Sequence, residues 1–365
     1  MTQHNLTPVV VNELHHGYAP TVEIASGIAV PALDAVERID RITDAMEQES
    51  HWEIKTAEAH GSTSILAVHD GDLVDFLASA WDRPGLRPAD GSHYIVGDTF
   101  LHERLRAGMG PQPNGNTPNI GAYCFDTIAS IGPETYSSAL GAVDAALTAA
   151  DLSLAGEPCA VALCRPPGHH VTRDLFGGGC FLNNAAITAQ ALRDSGRDTV
   201  AIVDIDFHHG NGTQSLFYGR ADVFFGSLHG NPEEHYPYYT GWPEEHGAGA
   251  GQGTTRNILL PPGCDGDTYR ARLADLLEQV AGFAPQSLIV SLGVDTAIND
   301  PAGDARLTAA DFHRVGKDLG DLGLPSVLLL EGGYELDTLG ENFTSCVNGF
   351  LDAQHSTCKP IGHPK

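Results

Sequence analysis

From Cys159 onward the chain alternates between two patterns of apolar positions. Short continuous apolar runs occur at 160–164, 200–206, 223–228, 287–292 and 326–330. Between them, at 183–195, 267–283 and 308–319, apolar residues return every three or four positions. A continuous run suits a parallel strand covered on both faces, and the three-to-four spacing suits the helices that cover it. The alternation predicts an α/β fold, an open parallel sheet flanked by helices. Each predicted strand ends in polar residues or glycine. Chemistry should therefore gather at the carboxyl edge of the sheet, where open α/β sheets bind ligands.

The first 130 residues are less periodic. Positions 30–47 have helical spacing, whereas 84–119 is rich in Gly, Pro and Asn and reads as a loop insertion. So long an irregular stretch is usually functional or a contact surface. No repeat, low-complexity tract or linker divides the chain, so residues 1–365 are expected to form a single domain.

Composition narrows the functional classes. A formal charge of −27 opposes any nonspecific nucleic-acid role, because phosphate binding needs clustered Lys and Arg. Acidity permits a cationic substrate, although a solubilising surface is the better explanation of it. No apolar stretch approaches the roughly 18 residues needed to span a bilayer, so no membrane partner is expected. The N-terminal MTQHNLTPVVVNELHHGYAP lacks a basic region followed by an apolar one, which leaves the cytoplasm as the expected location. The seven cysteines, at 124, 159, 164, 180, 264, 346 and 358, form no CxxC pair; neither a disulfide framework nor a zinc knuckle is indicated.

The candidate chemistry centres on VDIDFHHGNGT at 203–213. A carboxylate buried at a strand end must be paired, hydrogen-bonded or bound to a metal. On an extended segment Asp206 and His208, two residues apart, project to the same side. Asp295, in SLIVSLGVDTAINDP, ends another strand. Two carboxylates and an imidazole with an open position fit a catalytic zinc site, though any one strand-end Asp is more simply a helix cap. CRPPGHH places His169 and His170 after a third strand. They are either hydrogen-bonding histidines of the core or surface, or, facing a metal, the proton acceptor and donor of a hydrolysis. LLLEGGYE delivers Tyr334 after two glycines, and its hydroxyl is placed to stabilise an oxyanion.

CRPPGHH, GGGCFLNNAAI, VDIDFHHGNGTQ, SLHG, SLGVDT and EGGY, in this order and at these separations, resemble the histone deacetylase superfamily, most strongly over about 120–350. GAGAGQGTTRN is similar to the acetylpolyamine amidohydrolase and bacterial class II branch. The resemblance implies an arginase-like α/β fold and a zinc-dependent amidohydrolase that removes an acetyl or other small acyl group from an acetylpolyamine or acetyl-lysine. It implies that Asp206, His208 and Asp295 hold zinc, that His169 and His170 are the tandem catalytic histidines, and that Tyr334 is the catalytic tyrosine. Asp204 and Asn211 match the groups that hydrogen-bond the two histidines. A structural potassium ion is implied at the backbone carbonyls of Asp204, Asp206, His208 and Leu228 with the Ser227 hydroxyl. In the implied reaction zinc polarises the amide and activates water, His170 removes the water proton, and Tyr334 shares the oxyanion charge with zinc. His170 or His169 then protonates the leaving amine. His209 matches no such role and is expected to serve packing.

The substrate channel implied by the resemblance involves Gly179, Cys180, Tyr236 and Gly332. Many relatives carry an aromatic residue where this chain has Gly179, so a channel walled by Tyr236 on one side is expected to be wider or differently filled. The insertion at 84–119 is expected to shape its rim, as corresponding loops do in relatives that dimerise; a homodimer or homotetramer is compatible with it. Three other activities compete: hydrolysis of another small-molecule amide, an arginase-type ureohydrolase, and noncatalytic amine binding. The ureohydrolase needs two manganese ions, yet His209, Gly210 and Asn211 follow His208, and GVDTA lacks a second Asp two residues on. One metal is the better count. Against a noncatalytic role, the six catalytic positions hold competent residues.

Overall fold

Alternate residues of the central strands enter different cores, which is why their sequence is apolar without interruption. Val200 and Ile202 pack on one face of the sheet and Ala201 and Val203 on the other; Val327 and Leu329 likewise oppose Leu328 and Leu330. The computed structural model describes residues 6–86, 94–102, 104 and 120–357. Most of the expected insertion at 84–119, and Cys358, lie outside the described residues.

The strands are β1 (Thr7–Val11), β2 (Val22–Ala25), β3 (Ile28–Pro31), β4 (Trp52–Thr56), β5 (Cys159–Ala162), β6 (Val200–Asp204), β7 (Val223–Gly230), β8 (Thr255–Leu260), β9 (Ser287–Leu292) and β10 (Ser326–Leu330). The α-helices are α1 (Glu37–Glu47), α2 (Thr63–Val68), α3 (Gly71–Ser79), α4 (Thr135–Leu154), α5 (Asn184–Asp194), α6 (Asn211–Phe217), α7 (Gly266–Phe283), α8 (Ala309–Gly320) and α9 (Leu336–Thr357). Eight strands form one parallel sheet in the order β4-β1-β5-β10-β9-β6-β7-β8. Residues of α2, α3, α4 and α5 cover one face, and residues of α1, α7, α8 and α9 cover the other. This is the expected single α/β domain with an open parallel sheet.

The differences from the sequence pattern have local causes. The helical spacing at 30–47 becomes a helix only from Glu37. Before it, β2 and β3 form an antiparallel hairpin across Ser26 and Gly27, whose φ angles of 51° and 76° fit the two left-handed positions of a tight hairpin turn. The sheet also takes in β1, β4 and β8, which no long apolar run announces. β4, at the sheet edge, is exposed or half-buried after Trp52 and so carries no continuous apolar signature. Strand β6 stops at Asp204 rather than running to residue 206.

Helices α8 and α9 meet backbone to backbone. A Cβ on Gly316 would overlap the Cys346 carbonyl, and one on Gly349 would overlap the His313 carbonyl. Gly282, near the end of α7, has no atom within 4 Å of where its Cβ would stand. Gly316→Val should lower the free energy of unfolding by about 2–3 kcal/mol through overpacking. Gly282→Ala should raise it by up to about 1 kcal/mol through helix propensity. Denaturant midpoints of the two variants, at unchanged m-value, check both signs.

Candidate active site

The loops after five strands that are consecutive in the sheet, β5, β10, β9, β6 and β7, carry CRPPGHH, EGGY, GVDT, DFHHGN and the segment containing Tyr236. Parallel strands all deliver their following loops to one edge, so segments far apart in sequence meet there.

The chain turns at Asp204 because that side chain captures it: Asp204 Oδ1 accepts the Asp206 N–H at 3.2 Å. Asp206 and His208 therefore do not project from one strand, as their spacing on an extended segment would require. A second turn of the same kind brings them together, with the His208 N–H donating to Asp206 Oδ1 at 2.9 Å. His208 Nδ1 then lies 3.2 Å from Asp206 Oδ1 and 2.9 Å from Asp295 Oδ2. One ligand atom from each of Asp206, His208 and Asp295 falls within 4.8 Å of the others. The Phe207 N–H donates to Asp295 Oδ1 at 2.7 Å, and the Gly332 N–H to Asp206 Oδ2 at 2.7 Å, so each acid is held by backbone.

The electrostatics favour a cation between these groups. Asp204, Asp206, Asp295 and Glu331 are buried, and the ion pairs that Asp204, Asp206 and Asp295 make are with His169 and His208. Burial, with the Asp206 charge beside it, pushes the Asp295 carboxyl up to about 8, and burial pushes Glu331 up to about 7. Burial would lower His208, but its hydrogen bonds to Asp206 and Asp295 outweigh that and push it up to about 10. A carboxyl raised and an imidazole raised in one contact mean excess negative charge in a medium that solvates it poorly. Two carboxylate oxygens and one imidazole nitrogen are a suitable donor set for a divalent ion such as zinc.

The tandem histidines sit beside this cluster with different partners. His169 Nδ1 is 3.0 Å from Asp204 Oδ2, and His170 Nδ1 is 2.7 Å from Asn211 Oδ1. Burial would lower His169, but Asp204, Asp206 and Glu331 push it up to about 10. Burial and the neighbouring His169 and His208 hold His170 well below the usual histidine range. One ring thus favours the imidazolium and the other the neutral base. Tyr334 completes the group; burial, with Asp206 and Asp295 nearby, keeps its phenol protonated well above the usual range.

Several supporting residues have no assigned role in the sequence pattern. Glu331 of EGGY accepts the N–H groups of Gly168 and His169 at 2.8 and 3.2 Å and the Ser291 hydroxyl at 3.1 Å, tying the histidine segment to β9 and β10. Buried Arg38 donates to the carbonyls of Gly333 and Glu331 and to Asp34, and its guanidinium lies 4.9 Å from the Tyr334 ring centre. Arg165 donates to the same Asp34 carboxylate. The available signal was an arginine on the apolar stripe of α1, between the buried Asp34 and Ile42. His209, expected to serve packing, is buried but has both ring nitrogens bonded, to Thr240 and Gln214.

A cavity of about 370 Å³ opens onto His170, His208 and Tyr334, with Gly179 and Tyr236 also in its wall. Two residues expected in the channel are placed otherwise. Cys180 is fully buried behind the glycine-rich loop, its Sγ directed to the Gly178 carbonyl, and Gly332 abuts Asp206 and Asp295, so neither lines the cavity. Nothing lies within 4 Å of a Cβ on Gly179, whose φ is 74°. Phe125 packs on Gly177 and lies nearly parallel to Tyr236, ring centres 6.4 Å apart. Ser227 and Leu228 are buried on β7, with Ser227 opposite Asp204 in register and its hydroxyl 2.8 Å from His229 Nδ1.

A parallel sheet that ends in such a constellation defines a hydrolase of the arginase and deacetylase class. The histone deacetylase domain model matches residues 33–350. The chain belongs to the histone deacetylase family. It is 40% identical over 342 residues to acetylpolyamine amidohydrolase 1 of Pseudomonas aeruginosa, covering 94% of this chain and 97% of that protein. It is 38% identical over 341 residues to the acetylpolyamine amidohydrolase of Mycoplana ramosa, covering 93% and 98%. The crystal structure of the acetylpolyamine aminohydrolase from Burkholderia pseudomallei superposes with a TM-score of 0.89 at 33% identity, over 95% of this chain and 99% of that one.

If Asp295 is a zinc ligand, Asp295→Asn keeps an acceptor for the Phe207 N–H while removing one charge from the donor set. It should lose most bound zinc yet unfold at nearly the same denaturant midpoint as the metal-free parent. Elemental analysis after gel filtration checks this; full zinc retention would remove Asp295 from the ligand set.

Proposed function

We propose that this chain is a zinc-dependent amidohydrolase that releases acetate from N-acetylated polyamines. The observation that carries this is the convergence of Asp206, His208 and Asp295 at the cavity that also exposes His170 and Tyr334. Zinc held by those three residues supplies Lewis acidity and an activated water. The relatives named for acetylpolyamine hydrolysis support the substrate class over other amides.

The chain's own residues divide the proton work. With its Nδ1–H donated to Asn211 Oδ1, neutral His170 presents an unprotonated Nε2 as base. His170, carrying the proton taken from water, or His169, hydrogen-bonded to Asp204, then gives a proton to the departing amine. Tyr334, held protonated, donates its O–H to the oxyanion that develops at the amide carbon. Its backbone is fixed by the Asp300 carboxylate, which accepts the Tyr334 N–H at 2.7 Å.

A potassium ion at the carbonyls of Asp204, Asp206, His208 and Leu228 with the Ser227 hydroxyl forms part of the proposal, supported by the side-by-side register of Asp204 and Ser227. A cytoplasmic location is supported by the six described cysteines, all buried and unpaired. Among the described residues no helix is long and apolar enough to cross a membrane. A homodimer or homotetramer rests on the resemblance of the 84–119 insertion to loops of relatives that dimerise.

Two variants test the chemistry. Tyr334→Phe removes a donor that acts mainly in the transition state, so kcat should fall by about 100-fold or more at constant zinc content. A near-normal kcat would leave the oxyanion to zinc alone. Gly179→Phe restores an aromatic ring to the open wall. It should reduce kcat/KM for bulky amides more than for slim N-acetylalkylamines, by about 1–3 kcal/mol per methylene-sized group excluded. Because Gly179 has a left-handed backbone, the same variant should lose about 1–2 kcal/mol of stability. An unchanged bulky-to-slim ratio would show that Gly179 does not set the channel width.

A further inference from the structure

Among the described residues, histidine, cysteine and acidic side chains gather closely enough to share a metal ion at three places. Asp206, His208 and Asp295 are the cluster of the hydrolytic site. His169, Cys180 and Glu331 lie beside it, where the Asp204 carboxylate already engages the ring and the N–H groups of Gly168 and His169 engage the acid. The third group, His15, His16 and Asp40, belongs to neither, and no step of the hydrolysis uses it.

His15 and His16 are in the short 3-10 helix Glu13–Gly17, and Asp40 is in the first turn of α1. One ligand atom from each falls within 4.8 Å of the others, and the two imidazole rings lie 3.9 Å apart, centre to centre. The backbone that carries the histidines is fixed from three sides. Asn12 Oδ1 accepts the Leu14 N–H at 2.9 Å, the Ser138 hydroxyl donates to the Leu14 carbonyl at 2.7 Å, and Arg165 donates to the His15 carbonyl at 2.7 Å. His15 is only 5% exposed, and its Nδ1 is buried with no hydrogen-bond partner among the described residues. A buried polar atom left in that state costs free energy that a partner recovers. Burial also keeps this ring neutral, the form whose lone pair a metal takes. His16 and Asp40 are exposed, and neither side chain makes a hydrogen bond or ion pair among the described residues.

We propose that His15, His16 and Asp40 form a second metal site, separate from the hydrolytic one, which takes a borderline divalent cation such as zinc. Two imidazole nitrogens with one carboxylate oxygen suit zinc, copper or nickel, whereas magnesium and calcium take oxygen ligands. Ligands of one zinc ion stand about 3–4 Å apart, so closure asks only for rotation of the exposed His16 and Asp40 side chains, which break no other bond. The ion clasps together two segments that both reach the active site. Tyr18, shortly after His15, lines the cavity, and Arg38, shortly before Asp40, donates to the carbonyls of Glu331 and Gly333. The role is structural. Because two of its ligands are exposed, the ion exchanges with solvent and is retained only while free zinc is supplied, in addition to the zinc of the hydrolytic site.

The test is equilibrium dialysis of the zinc-loaded parent, His16→Ala and Asp40→Ala against buffered free zinc, with zinc per chain read by elemental analysis. The parent should take up one further ion. At the free zinc concentration that half-fills this additional site, either variant should be filled to about a tenth or less, because loss of a direct ligand costs at least the tenfold in affinity that loss of an outer partner costs. Without added zinc, the three proteins should unfold at the same denaturant midpoint, since both substitutions are at exposed positions. Added zinc should then raise the midpoint of the parent and leave those of the variants unmoved, as an ion that binds the folded chain stabilises it. Equal zinc uptake by all three proteins, the mark of scattered binding to surface histidines, would overturn the site. So would equal midpoint shifts, or a loss of uptake confined to His16→Ala.

Discussion

Buried carboxylates at the ends of β6, β9 and β10 are the constraint around which the rest of the molecule is arranged. Removing an ion from water costs several kcal/mol even after relaxation, and here Asp204, Asp206, Asp295 and Glu331 share one region. The structure meets this with aimed backbone N–H groups, from Asp206 to Asp204, from His208 and Gly332 to Asp206, from Phe207 to Asp295, and from Gly168 and His169 to Glu331. The approach is close enough to dictate residue type. A Cβ at Gly293 or Gly332 would overlap the Asp206 carboxylate, so the glycines of SLGV and EGGY admit the chain to the acids. Hydrogen bonds distribute the charge without cancelling it, which leaves a cation to complete the site.

The same field gives two adjacent histidines opposite proton affinities. Their rings are 4.0 Å apart, yet His169 faces Asp204 while His170 faces the neutral amide of Asn211. A carboxylate stabilises an imidazolium, and an amide oxygen fixes a tautomer while adding no charge. The partners, rather than distance, thus set the difference between the two rings. Tyr334 belongs to a second buried network, in which Arg38 joins the EGGY carbonyls to Asp34 and, through it, to Arg165 beside the histidine motif. The two histidines and Tyr334 are thus supported from below by the acids and from the side by a paired arginine network.

Much of this was legible in the sequence, for a definable reason. Strands covered on both faces must be apolar throughout, so five of the eight sheet strands were visible as runs, and the polar residues ending them marked the edge where Asp206, His208, Asp295, His169, His170 and Tyr334 meet. What escaped notice depends on contacts between distant segments. The turn at Asp204 arises from one side-chain hydrogen bond, whereas the apolar run merely continues through Ile205. Arg38 reads as one charge in a helix until Asp34, Gly333 and Glu331 surround it. The β2–β3 hairpin was hidden because its short strands are exposed or half-buried and carry no continuous apolar run, and the Ser26-Gly27 turn was the one sign of it.

The central claim is that one zinc ion completes the carboxylate cluster and makes the cavity an amide-hydrolysing site. Its most direct test is elemental analysis of the purified chain alongside acetate release from N-acetylputrescine, before chelation, after it, and after zinc is restored. The account predicts one zinc per chain, loss of acetate release with the metal, and recovery with one equivalent of zinc. Full acetate release by the metal-free protein, or a requirement for two metal ions per chain, would contradict it.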